Sequence, residues 1–359
     1  MTGAPIDSPT QAMPGGAIAA RLAGIALIVA GAAATFAYTA GWLTPARLTP
    51  DKLVDSLAPP GGAVAGFRRN HAKGICFTGT FEASGAGTAL SRAPMFAAGS
   101  YPVTGRFNLA GPDPRMADGT GRVRGLGLRI QAPGGQEWRA AMINPPFFPV
   151  ATPQDFYALQ QAGARKDDPN AMKQFAASHP SLREFGAWAA SAPFTSSYAE
   201  DRFNSLNSFV FTNAQGQDQT VRWSFIPAAA MVAVSPEELK QRDPDFLRKE
   251  IVQRVAAAPQ KWRLVLTVAN PGDHTADPTR VWPEDRRKVD VGTLVVSKVQ
   301  AEADGNCRDL NFDPTVLPVG MRTSNDPFPA ARSAAYAVSY DRRTAEAKDS
   351  PRPPTEGKP

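Results

Sequence analysis

The sequence predicts an α+β, mainly β protein: an antiparallel barrel or sandwich with helices around it, preceded by one apolar N-terminal helix. Two observations carry this. Short alternating or apolar runs separated by turn residues recur through the middle of the chain, where long helical periodicities are few. Ahead of them lies one uncharged apolar stretch, residues 22–43, as long as a helix needs to cross about 30 Å of hydrocarbon.

Taken in order, residues 1–21 read as a short cytoplasmic leader rich in Gly, Pro and Ala, ending on Arg21. The stretch 22–43 is apolar on every face, which suits lipid better than a core packed on one side. Trp42 stands near its far end, at the depth an indole favours. With the positive flank kept in the cytoplasm, the bulk of the chain crosses to the periplasmic or extracytoplasmic side. The apolar run continues well past the small residues Ala32-Ala33-Ala34, so an uncleaved signal anchor is expected, with cleavage and release as the alternative.

Residues 44–60 read as a linker holding one short helix at 50–55, whose Pro50 and Asp51 suit a first turn. The folded domain is expected over 61–345. Within it, strands are expected at 125–130, 138–143, 208–212, 220–226, 262–269 and 292–299, with a hairpin turn at 213–217. Helices are expected at 153–162 and at 235–255, the second opened by Ser235-Pro236-Glu237-Glu238 as N-cap, N1 proline and acidic first turn. Residues 346–359, rich in Pro, Lys and Glu, read as a loose tail.

Composition narrows the function. The 359 residues are 43% hydrophobic, enough for one large core, and the net charge of +6 comes from scattered Lys and Arg, which excludes a nucleic-acid footprint. Three histidines leave no room for a cluster of imidazoles, so a metal centre here uses few of them. Cys76 and Cys307 match no metal-ligand or C-x-x-C spacing. They form one disulfide in an exported protein or stand as two buried thiols; both readings stay open.

Three strings carry chemistry. The first is Arg68-Arg69-Asn70-His71-Ala72-Lys73-Gly74, ahead of a strand that starts near Cys76. A lone His here suits a general base for a peroxide, because splitting O–O requires a proton moved between its oxygens; it equally suits a surface or satisfied structural histidine. The second is Met142-Ile143-Asn144-Pro145-Pro146-Phe147-Phe148. The amide of Asn144 donates to a bound peroxide without taking its proton, or merely opens a Pro-rich turn. The third is Arg332-Ser333-Ala334-Ala335-Tyr336, with Arg343 seven residues further on. On a helix Arg332 and Tyr336 share a face, and a guanidinium beside a phenol favours the phenolate, which binds ferric iron. The bland alternative is an amphipathic helix with solvated arginines.

Together these strings resemble the haem catalase family. R-x-x-H-A-K-G is similar to its distal-side motif, the Asn-Pro-Phe stretch follows it, and R-x-x-x-Y with a later arginine comes last, in the family's order. Asp277-Pro278-Thr279-Arg280-Val281-Trp282-Pro283, Val291-Gly292-Thr293-Leu294, Asn311-Phe312-Asp313-Pro314 and Leu317-Pro318-Val319-Gly320 resemble successive landmarks of its barrel, so the likeness spans roughly residues 60–345. The resemblance implies an antiparallel β-barrel with surrounding helices, and a haem b whose iron is bound by Tyr336, tyrosine being the haem ligand of catalases. It further implies His71 and Asn144 as catalytic residues, with Arg68, Arg332, Arg343 and Phe148 against the cofactor.

The chain departs from the large catalases in stopping soon after Arg343, which makes it resemble the short catalase-related peroxidase subgroup. Asn108 stands where the family's supporting serine is expected, and Arg122 or Arg124 would replace an arginine that reaches a haem propionate near Gly125; Arg68 keeps its family position. The expectation is a membrane-anchored haem peroxidase that reduces organic peroxides or hydrogen peroxide with a separate electron donor, its oligomeric state left open. The rivals are a true dismutating catalase, a non-enzymatic haem- or lipid-binding barrel, and a tethered interaction domain without cofactor.

Overall fold

Alternation along neighbouring strands separates two faces of one sheet. The strands are β1 (Gly74–Ala83), β2 (Gly99–Leu109), β3 (Arg124–Ala132), β4 (Gln136–Ile143), β5 (Phe194–Thr195), β6 (Phe203–Asn204), β7 (Phe209–Thr212), β8 (Asp218–Pro227), β9 (Ala233–Val234), β10 (Gln260–Val268), β11 (Lys288–Ala301) and β12 (Met321–Thr323). In the computed structural model, which describes residues 15–44, 46–59 and 61–349, all pairings of the main sheet are antiparallel. The ring runs β1, β2, β3, β4, β6, β8, β10, β11 and back to β1, because β8 pairs with β6 on one side and β10 on the other. Closure leaves no free edge in the ring.

One register row, Ile75, Phe107, Leu126 and Met142, points into the main core. The next, Cys76, Arg106, Gly127 and Ala141, points away from it, toward a second small cluster with Cys307, Leu310 and Phe312. The period of two therefore sends alternate residues to different jobs. The core is dominated by aromatic rings, with Phe107 stacked on Tyr198 at 5.3 Å and Trp138 edge-on to Trp223 at 5.0 Å. Rings at these separations contribute beyond their buried area.

Helices α1 (Gly15–Thr39), α2 (Pro50–Asp55), α3 (Pro153–Ala164), α4 (Ala171–Ser178), α5 (Pro180–Ser191), α6 (Pro236–Gln241), α7 (Phe246–Ala257) and α8 (Phe328–Asp349) complete the chain. Helix α1 belongs to a separate unit, residues 1–49, and has no buried residue. Its 25 residues give it the length and apolarity of a signal or anchor. It starts before Arg21 and ends at Thr39, so it is shifted toward the N-terminus relative to the 22–43 expectation. Most of the expected leader lies outside the described residues.

The second unit begins at Pro50. Helix α2, assigned from sequence to a linker, buries Leu53 and Val54 and is tied to α8 by Arg342, which pairs with Asp51 at 2.7 Å and with Asp55 at 2.5 Å. The single helix expected over 235–255 is two helices. Its capping box is present, with Ser235 accepting from the Glu238 N–H. The chain then breaks before Pro244, which lacks an N–H and disfavours helical φ/ψ in the residue ahead of it. Helices α4 and α5, unforeseen from sequence, are short segments rich in Ala, the second opened by Pro180 in its first turn. Of the expected tail, residues 346–349 continue α8, and the remainder lies outside the described residues.

Candidate active site

Where β2, β3, β4 and the turn before β1 meet α2, α3 and α8, a cavity of about 1060 Å³ opens. That is the upper end of the size expected of a small-molecule or cofactor site. Its walls are mainly apolar, including Val54, Leu126, Met142, Phe148, Phe156 and Phe312. It brings together His71, Arg68, Phe148, Arg332, Tyr336 and Arg343, which the chain scatters over most of the domain.

His71 sits in the turn before β1 with φ of 53°, a left-handed conformation unusual for a residue with a side chain. Several bonds hold it there. Its N–H donates to Asn70 Oδ1 at 2.8 Å, and its carbonyl accepts from Arg106 Nη1 at 2.8 Å. Arg106 Nη2 holds the next carbonyl, Ala72 O, at 3.0 Å. On the ring, Nδ1 lies 2.6 Å from Asn108 Oδ1. Asn108 Nδ2 faces Arg106 O at 3.4 Å, so the amide oxygen is the atom turned to the ring. Nδ1 therefore carries the proton and Nε2 keeps its lone pair.

Two glycines make this arrangement possible. Asn108 pairs across the sheet with Gly74 on one side and Gly125 on the other. A Cβ on Gly125 would come within 2.3 Å of Asn108 Oδ1, and one on Gly74 within 2.4 Å of Arg106 Cζ. Burial pushes the His71 imidazole down to about 4; the Asn108 bond opposes this, and the positive charges of Arg106, Arg332 and Arg68 add to it. At neutral pH the ring is an uncharged base.

Behind His71, Glu302 bridges two guanidiniums, pairing with Arg106 at 2.7 Å and with Arg68. Arg68 also donates to the carbonyls of Cys307 and Leu310, each at 3.1 Å. Arg343, buried, donates to the Arg308 carbonyl at 2.6 Å. The segment 302–310 thus holds both arginines. It is itself clamped to β1 by a Cys76–Cys307 disulfide, which decides between the two readings of the cysteines.

On α8, Arg332 Nη2 donates to Tyr336 Oη at 3.1 Å and to the Ala141 carbonyl at 2.8 Å. Its Nη1 donates to Asn207 Oδ1 at 2.7 Å, and Asn207 Nδ2 in turn donates to Asp326 Oδ2 at 3.0 Å. Asp326 also accepts from the Phe328 N–H at 2.9 Å, at the start of α8. Burial raises the Asp326 carboxyl above its ordinary value, against the pull of these bonds. Phe148 packs on Phe156 at 5.6 Å and on Phe328 at 5.1 Å.

Asn144 is not brought to this cavity. Its Oδ1 accepts from the Arg124 N–H at 2.8 Å, tying β4 to β3, and it borders a second, smaller cavity instead. Arg122 and Arg124 do not stand in for a cofactor-binding arginine either. Arg124 is buried in an ion pair with Asp201 at 3.1 Å, and Arg122 donates to the Ala189 carbonyl at 2.7 Å beside α5. Sequence reading missed Arg106, Asn207, Glu302 and the walls from α2 and α3. Only Arg106 carried a signal: a charge between apolar neighbours on a strand, where alternation turns it to the other face.

The catalase family profile matches residues 44–349. The chain is 35% identical, over 91% of its length and 95% of the relative's, to a catalase-related peroxidase of Synechococcus elongatus. It is 29% identical, over 86% and 98%, to a catalase-related peroxidase of Mycolicibacterium paratuberculosis. Similarity to the rat catalase is 23% over 76% of this chain and 55% of that protein.

Proposed function

The chain belongs to the catalase family, in its short catalase-related peroxidase branch, and is a peroxidase-type oxidoreductase; from that premise we propose that it reduces organic peroxides and hydrogen peroxide at a Tyr336-ligated haem b, using a separate electron donor. The observation that carries this reading is one cavity faced both by an imidazole with a free Nε2 and by a phenol held by Arg332.

The residues fit haem. Apolar walls suit the macrocycle, Arg68 and Arg343 supply positive charge for its carboxylates, and Tyr336 supplies an anionic oxygen once ionised. Among the described residues no group of three His, Cys, Asp or Glu stands ready to hold a metal, so Tyr336 is the residue that would hold an iron carried by a cofactor. Bound haem supplies the iron at which the O–O bond is cleaved. His71 Nε2 takes the proton from one peroxide oxygen and returns it to the leaving oxygen, which becomes water or alcohol. Nδ1–H, held by Asn108, keeps the ring in the tautomer this requires. Arg332 Nη2 donates to the Tyr336 oxygen and aims it. Asn144 supports the site from outside by joining β3 to β4.

The match covers 95% and 98% of the two catalase-related peroxidases against 55% of the rat catalase, and the reading follows the former in favouring donor-dependent reduction over dismutation. Helix α1 is read as the anchor and the disulfide as a mark of an oxidising, extracytoplasmic compartment. The test is the purified protein's visible spectrum, followed by turnover of an organic hydroperoxide with and without donor. A Soret band lost or shifted in Tyr336→Phe is expected. A colourless wild type, or a haem spectrum unchanged in Tyr336→Phe, overturns the assignment.

A further inference from the structure

Residues 226–234, from the end of β8 through β9, carry no charge, hydroxyl or amide on any side chain. Met231 and Val232 nevertheless stand 56% and 54% exposed, and most of the alanines around them are exposed too. The backbone here is held firmly. β9 pairs with β5, Val232 donates its N–H to Glu200 Oε2 at 3.1 Å, and its carbonyl accepts from the Ser196 N–H at 3.0 Å. Glu200 has a fully buried side chain, and its other oxygen accepts from Arg254 Nη2 at 2.9 Å. A buried, fully partnered carboxylate thus fixes a shape that turns two apolar side chains outward, where water penalises them. An ordered apolar projection of this kind marks a surface that is covered in use. The neighbouring wall is apolar as well. β5 follows α5, in which no residue is buried and Leu182, Phe185 and Trp188 stay partly exposed. Arg122 lies over the rings of Phe194 at 4.1 Å and Trp188 at 5.9 Å; Trp188 meets Phe185 at 5.3 Å, and Phe185 lines the main cavity.

The other end of the chain indicates what covers it. Helix α1 has the length and apolarity to cross a bilayer, and ten residues, 40–49, join it to α2. A chain of that length reaches no more than about 35 Å, so a domain anchored by α1 works within that distance of the lipid. The bilayer interface accepts apolar side chains to a depth of about 5–10 Å and asks for no matched hydrogen bonds, which suits a projection that offers none. Tryptophan is favoured at the same level. We propose that Met231, Val232 and the alanines beside them dip into the lipid interface and seat the α5 side of the domain on the bilayer. This rests on the anchor reading of α1. Docked in this way, the domain presents to the lipid the side on which Phe185 lines the main cavity.

The experiment places the full chain in nanodiscs of phosphatidylcholine and phosphatidylglycerol that carry a diazirine-tailed phosphatidylcholine, and reads the photolabelled peptides by mass spectrometry. Label is expected on α1, on the peptide spanning 226–234 and on the one spanning α5. The 213–217 turn, at the opposite end of β8, is expected to stay unlabelled. In the double variant Met231→Asp, Val232→Asp, loss of two inserted side chains is expected to lower the α5 label about tenfold. Its α1 label and its near-ultraviolet circular dichroism are expected to match the wild type, which separates undocking from misfolding. Met231→Leu with Val232→Ile, which stays apolar, is expected to keep the full label. Label on α1 alone, or an α5 label undiminished in the aspartate variant, overturns the docking and leaves the anchor standing. An unlabelled α1 takes down the anchor reading and the docking with it. A 226–234 segment without label in discs that hold two chains, reduced to one by the aspartate variant, assigns the surface to a second copy and overturns the proposal.

Discussion

Acidifying the protein tests the surroundings of His71 directly. In the unfolded chain a histidine takes its proton near 6.5, whereas in the folded chain burial holds this imidazole at about 4. Between those values the unfolded state binds the proton and the folded state does not, so stability rises with pH across the window and is lost as pH falls. At about 1.4 kcal/mol per decade, the loss from this one group reaches about 3 kcal/mol once pH is below 4. The measurement is urea unfolding of the wild type and of His71→Leu in the same detergent, from pH 7.5 down to pH 4 or just below. Other titrating groups act alike in both chains and cancel, leaving a gap that shifts against the wild type by about 3 kcal/mol. The reaction of the haem-loaded wild type with peroxide, which requires an unprotonated Nε2, is expected to stay level through mild acid and to fall only well below 6.5. A pH-independent gap, or an acid limb centred near 6.5, refutes the claim that burial and the neighbouring guanidiniums hold this ring neutral.

Gly125→Ala places a methyl within 2.3 Å of Asn108 Oδ1 and is expected to push the amide off His71, slowing peroxide reaction by about fivefold for a lost hydrogen bond of about 1 kcal/mol, read in stopped flow. Replacing both Cys76 and Cys307 by Ala is expected to cost about 2–5 kcal/mol in unfolding and to speed haem loss, because the freed 302–310 segment no longer fixes Arg68 and Arg343; equal stability to wild type counts against the clamp. Asn207→Leu removes the acceptor of Arg332 Nη1 and one donor to the Asp326 carboxylate, and is expected to shift the haem spectrum without touching the cavity's distal side.

Several features were legible from residues alone. The runs at 125–130, 138–143 and 220–226 fall inside β3, β4 and β8, because half-burial on a sheet imposes a period of two that composition cannot hide. Arg332 and Tyr336 meet as i and i+4 partners on α8, a contact that helix geometry alone dictates. What lay beyond reach depends on distant segments. Glu302 meets Arg106 across 196 residues of chain, and Asn207 meets Asp326 across 119. No local pattern announces such a pair. Asn144 marks a subtler limit: its place at the end of β4 was read correctly, but whether its amide points to the cavity or to the Arg124 N–H is decided by the pleat and the neighbouring strand. Pro244 shows the reverse case, a breaker visible in the sequence that lies between the two helices found where one was expected.

The charge arrangement ties these parts together. Every ionisable group on the wall of the main cavity, among the described residues, is basic or phenolic: Arg68, Arg69, Arg106, Arg332, Arg343 and Lys166 join His71, Tyr336 and Tyr340. The carboxylates that balance them, Glu302 for Arg68 and Arg106 and Glu346 for Arg69, stand one layer back. Such a wall attracts an anionic cofactor, and it lowers the proton affinity of His71 by the same field. An anion seated against Arg68 would relieve part of that field and let the imidazole rise somewhat from about 4. Desolvation is the larger cause and would remain, so the ring stays a neutral base whether or not the arginines are compensated. The base is therefore guaranteed mainly by the apolar packing around it, and the arginines are left to serve the cofactor.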